Sequence, residues 1–79
     1  LQNDIGYHLY DIVVANIVAD VIIAMKDIFK IFLKPGGLLI VSGIIGERQD
    51  EVVQALTHSG FMIKEINEMN DWVAIEFTC

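Results

Sequence analysis

Basic residues, cysteine and proline are scarce in this sequence, and each scarcity rules something out. Five Lys and Arg stand against eleven Asp and Glu in 79 residues, a net charge of −6. No basic run, and no Arg interleaved with aromatics, is there to follow a phosphate backbone, so direct contact with nucleic acid is not expected. An acidic surface suits a cationic partner such as a Lys-rich protein, and serves solubility as well. With Cys79 alone, no internal disulfide can form, in keeping with a reducing cytoplasm. That thiol has no basic neighbour to activate it and reads as inert. His8 and His58 lack spaced partners, so no metal site is expected and both read as surface residues. Long apolar runs are missing too. The stretch from Ile12 to Met25 is interrupted by Asn16 and Asp20, short of the roughly 18 to 20 residues that a bilayer span needs. No membrane segment is expected, and no signal peptide pattern is present.

The length suits one domain, in which only about 60% of the unfolded chain's surface can be buried. The chain opens at Leu1 and reaches an apolar run by Ile12, so it reads as a piece of something longer.

Tyr10 to Ala15 holds a continuous β-branched run, the pattern of a parallel strand covered on both faces. After Asn16, the apolar residues Val18, Val21, Ile22, Met25, Ile28, Phe29 and Phe32 recur at three- and four-residue steps, which predicts one amphipathic helix. Asp20 and Lys30 complement its dipole, and Pro35 ends it near Leu33 by restricting Lys34. Pro35-Gly36-Gly37 is a turn signal, and Leu38 to Val41 a second buried strand. Gly43 and Gly46 loosen the chain before a second helix, which opens on Glu47, Asp50 and Glu51 and carries Val52, Val53 and Leu56 inward. His58 lies in its last turn, with Gly60 the left-handed residue beyond. Period-two patterns follow from Phe61 to Ile66, with Phe61 and Ile63 on one side, and from Trp72 to Phe77. The short Asn70-Asp71 link makes these two an antiparallel hairpin. The expected fold is α/β, with three parallel strands, one reversed final strand and two helices.

Four segments carry a resemblance. They are Asp11-Ile12-Val13-Val14-Ala15-Asn16-Ile17-Val18-Ala19-Asp20, Leu33-Lys34-Pro35-Gly36-Gly37 running through Leu38 to Ile45, and Ser59-Gly60-Phe61 with Trp72-Val73-Ala74. Together they resemble the bacterial methyltransferases of large-subunit ribosomal protein eleven over nearly the whole chain. Lys-Pro-Gly-Gly before a strand marks only the class I methyltransferase superfamily. The Ala-Asn-Ile-x-Ala segment followed by Ser-Gly-Ile-Ile is more specific. The resemblance implies a Rossmann-like half-domain over residues 1–79, the carboxyl-terminal half of a catalytic domain, in which a reversed last strand inserted between the two before it is the regular ending. It implies S-adenosylmethionine as cofactor, a ribosomal protein as substrate, methylation of lysine and terminal amines, and a cytoplasmic location.

Asn16, at the carboxyl end of a parallel strand, falls where such sheets bind ligands. Its side-chain carbonyl can accept a hydrogen bond from a substrate amine and aim the nitrogen lone pair at an electrophilic methyl, which makes it the candidate for amine and cofactor contact. Ile17, Ser42 and Gly43 are candidates to line the same crevice. Each has a plainer reading: Asn16 as a helix cap, Ser42 and Gly43 as a turn. Trp72 reads as a packing residue at the sheet edge. The strand, Gly-rich turn and ribose-binding acid of the family precede the part that this chain resembles, so the chain alone should bind cofactor poorly. Two other functions fit the pattern: a class I methyltransferase with a different amine substrate, and a non-catalytic Rossmann-like pairing module. The apolar first strand, lacking its upstream neighbour, is expected to drive self-association through its open edge.

Overall fold

The computed structural model describes residues 9–79, so His8 and the start of the chain lie outside the described residues. Four strands form one sheet, β1 (Tyr10–Asn16), β2 (Leu33–Ile45), β3 (Met62–Met69) and β4 (Trp72–Thr78). Their order across the sheet is β1-β2-β4-β3. β1 and β2 run parallel, while β4 is antiparallel to both of its neighbours, β2 and β3.

Between β1 and β2 the chain is helical in two pieces, α1 (Ala19–Ala24) and α2 (Lys26–Phe32), where the periodicity predicts one helix. Three α-helices are thus described rather than two. The break is at Met25, with φ −97° and ψ 5°. Its N–H is shared between the carbonyls of Val21 at 3.0 Å and Ile22 at 3.1 Å, a local tightening that an unbroken apolar period does not register. Of the expected stripe, Ile22 and Phe29 are buried, whereas Val18, Val21 and Ile28 remain exposed.

Burial alternates along the central strands. Leu39, Val41, Ile75 and Phe77 face the helices and are wholly buried, together with Ile22 of α1 and Leu56 of α3 (Gln49–His58). Phe61 stands edge-to-face on Phe77, ring centroids 6.1 Å apart. The opposite face is bare among the described residues: Ile12 is 57% and Val14 66% exposed. The expectation that β1 is covered on both faces therefore fails here, because α1, α2 and α3 share a single side of the sheet.

Pro35-Gly36-Gly37, read as a turn, lies inside β2 as a wide bulge. Tyr10 pairs with Leu33 and Ile12 with Leu38, so four residues oppose Asp11 alone. Gly36 takes φ +81° and donates its N–H to the Cys79 carbonyl at 2.9 Å. The end of α3 is a Schellman motif: Phe61 N–H bonds the Leu56 carbonyl, Gly60 N–H bonds that of Thr57, and Gly60 has φ +102°. Beyond it β3 is an edge strand and its side chains are largely exposed, Ile63 at 42%. Ile63 does not share the burial of Phe61, because Phe61 precedes the strand, under α3, and Ile63 lies past that cover.

Candidate functional site

The parallel ladder of β1 and β2 ends on the pair Asn16 and Ser42. One residue on, β2 is kinked: Val41 pairs with Ile75 and Ile44 with Val73, so Ser42 and Gly43 together oppose Ala74. Gly43 takes φ +81°, which only glycine adopts freely. A Cβ at this position would lie 2.7 Å from Asn16 Oδ1, closer than atoms approach, and 3.6 Å from the Ile17 carbonyl. The missing side chain is thus what lets the Asn16 carboxamide lie over β2. Because β4 runs backwards, its first residue returns to this same end, and Trp72 pairs with Ile45.

Asn16, Gly43 and Trp72 line an open recess of about 350 Å³. It lies at the carboxyl ends of the parallel strands, where open α/β sheets bind ligands. Asn16 is exposed, and its carboxamide has no hydrogen-bond partner among the described residues. The helix-cap reading is corrected: the residue before α1 is Val18, and no side chain caps it.

The other candidates divide. Gly43 meets Asn16 directly. Ser42 is half-buried beside Asn16 in the ladder but outside the recess lining, and Ile17 packs its side chain against the core and offers only its carbonyl. Trp72 is not at the sheet edge: it opens an interior strand and walls the recess. The signal for it was the strand reversal, which returns the first residue of β4 to the carboxyl ends of β1 and β2. His58 is exposed, and no metal-binding cluster occurs among the described residues. No described helix is long and apolar enough to cross a membrane.

Charges gather behind the recess rather than in it. Arg48 closes the 3-10 turn Gly46–Arg48 and donates from Nη2 to Asp20 Oδ1, and from Nε and Nη2 to both oxygens of Glu51 at 2.6 and 3.0 Å. These hydrogen bonds, reinforced by the positive charge, lower the pKa of Asp20 and Glu51, while the bonds to Glu51 and then Asp20 raise that of Arg48.

A mixed sheet with a reversed strand at this place, and a recess at the ends of its parallel strands, defines a protein of the methyltransferase fold. A solved ribosomal protein L11 methylase from Lactobacillus delbrueckii subsp. bulgaricus superposes with a TM-score of 0.86, at 26% identity over 99% of this chain and 40% of that one. The profile of the ribosomal protein L11 methyltransferase (PrmA) family matches residues 1–79, and the chain belongs to that family. The protein of that name from Lachnoclostridium phytofermentans is 47% identical over 75 residues, 95% of this chain and 22% of its own length. That from Exiguobacterium sp. is 53% identical over 66 residues, 84% of this chain and 21% of its own length. The chain thus spans about a fifth of the curated relatives it matches.

Proposed function

We propose that residues 1–79 are the carboxyl-terminal half of a catalytic domain, and that the whole protein transfers methyl groups from S-adenosylmethionine to lysine side chains and the terminal amine of ribosomal protein L11 in the cytoplasm. Membership of the family supports the reaction class. One observation supports the site: the unpartnered Asn16 carboxamide, held over Gly43 at the rim of a recess walled by Trp72.

The described residues fit the amine side of such a site. The recess lining has an amide and an indole but no carboxylate for a ribose and no Gly-rich turn. Those parts are assigned to the protein upstream. When bound, S-adenosylmethionine supplies an electrophilic methyl group. Asn16 Oδ1 accepts a hydrogen bond from the substrate N–H and so orients the nitrogen lone pair, while its NH₂ remains free to donate to the cofactor. Ammonium has no lone pair to attack with. The Trp72 indole offers a face that attracts a cationic amine into the recess, and among the lining residues there is no base to take its proton. Gly43, with no side chain, keeps the floor of the recess low enough for a lysine side chain to enter.

The test is Asn16→Ala in the whole protein. Methyl transfer to L11 should fall on the order of tenfold to a hundredfold, the cost of losing alignment of a bound reactant. Transfer at the wild-type rate would remove Asn16 from the site. Calorimetric titration of S-adenosylmethionine should show binding by the whole protein and little by this chain alone. Micromolar binding by the chain alone would place the cofactor elsewhere.

A further inference from the structure

Two short segments leave the recess. From Asn16 the chain runs through Ile17 and Val18 into α1, whose first turn holds Asp20. From Gly43 it runs through Ile44 and Ile45 into the 3-10 turn, which ends at Arg48, and then into α3, whose first turn holds Glu51. At the recess the segments meet where Asn16 lies over Gly43. At their far ends they meet again, because Arg48 bonds Asp20 on one side and grips Glu51 with two nitrogens on the other. The two contacts close a ring of about a dozen residues, with α1 packed on α3 behind it.

We infer that Arg48 is a positioning residue: by tying the first turn of α1 to the start of α3, it fixes how Asn16 is apposed to Gly43 at the recess. The inference rests on the reading of that recess as the amine site. Without the guanidinium, Asp20 and Glu51 would face each other as like charges at the helix starts. The starts of α1 and α3 would then part, and the segments ending on Asn16 and Gly43 would part with them. A planar fork reaches two carboxylates at once, which a lysine ammonium on a flexible stem does poorly.

The experiment compares R48Q, R48K and D20N in the whole methyltransferase, well below its melting temperature. R48Q should lower kcat about tenfold, the scale of a small misplacement at a reacting centre, and lower the affinity for S-adenosylmethionine by less than that. R48K should fall between it and wild type. D20N should act in the same direction and add little when combined with R48Q, because both break one link. D20N and R48K also serve if R48Q fails to fold. A lower melting temperature with wild-type kcat in all three variants overturns the inference and leaves Arg48 a stabilising surface residue. N16A in the same assay separates this from a failure of the site itself. If N16A transfers methyl groups at the wild-type rate, the amine-site reading falls and the Arg48 effect is read on the recess directly. The readout is the fluorine NMR signal of fluorotryptophan at Trp72, assigned with W72F. A shifted or broadened signal in R48Q upholds the positioning role, and an unmoved one overturns it.

Discussion

Asn16 and Gly43 are one residue out of register across β1 and β2, yet the Asn16 carboxamide occupies the space that a side chain at Gly43 would need. Ser42, its true ladder partner, shares with Gly43 the bulge opposite Ala74. The contact at the rim of the recess is therefore made by a glycine because it is a glycine.

Gly43→Ala tests that dependence. The new methyl meets both a positive φ, which costs an L-residue about 1–2 kcal/mol, and the Asn16 carboxamide 2.7 Å away. In the whole protein it should lower the urea midpoint and cut methyl transfer by more than the stability loss explains, since Asn16 must move aside. Unchanged transfer at full folding would show that the orientation of Asn16 is unimportant.

The Asp20, Arg48 and Glu51 network predicts a pH dependence with a definite sign. Arg48 lowers both carboxyls from their ordinary values of 3.8 and 4.5. The folded chain then binds fewer protons than the unfolded one, so the network's contribution is whole above about 4.5 and is lost as pH falls through the lowered values. Both carboxylates are exposed and Arg48 is only half-buried, so salt should weaken the effect. Urea midpoints of wild type and R48Q should converge as pH drops from about 5 to about 3. A constant gap across that range would mean that the network adds nothing through its charges.

The strands and their order of type were legible because parallel strands carry β-branched runs and β4 alternates cleanly, Val73, Ile75 and Phe77 being buried. Asn16 and Gly43 were legible as candidates from their place at strand ends. The bulge holding Pro35 to Gly37 was not, because proline and glycine signal a departure from regular backbone without saying whether the ladder resumes. Nor was the break at Met25, which leaves the apolar period intact. Trp72 required the sheet order: only with β4 between β2 and β3 does its first residue come beside the ends of β1 and β2. Arg48 bonds Asp20, 28 residues away in sequence, and no local pattern announces such a bond.

Gly60 and Gly46 should respond oppositely to alanine. Gly60 closes the Schellman motif at φ +102°, so Gly60→Ala should destabilise by about 1 kcal/mol. Gly46 has no positive φ and nothing within 4 Å of where its Cβ would lie, so Gly46→Ala should be neutral or slightly stabilising. Urea denaturation of both variants checks this, and equal losses would contradict the assignment of strain to Gly60 alone.

Self-association of the 79-residue chain is the last expectation. Among the described residues β1 pairs only with β2, leaving the ladder on its other side without a partner strand. Ile12 and Val14 extend the same exposure onto the bare sheet face, at 57% and 66%. An unpaired apolar strand edge is a template for another copy, which can add its own β1 about a two-fold axis and bury both pairs of side chains. Sedimentation equilibrium at high micromolar concentration should show dimers or larger species, and Val14→Lys should shift them toward monomer, because a charge on the joined faces opposes pairing. In the whole protein the same substitution should instead destabilise the fold, if upstream chain covers β1. A monomeric wild-type chain would show that the edge is closed in some other way.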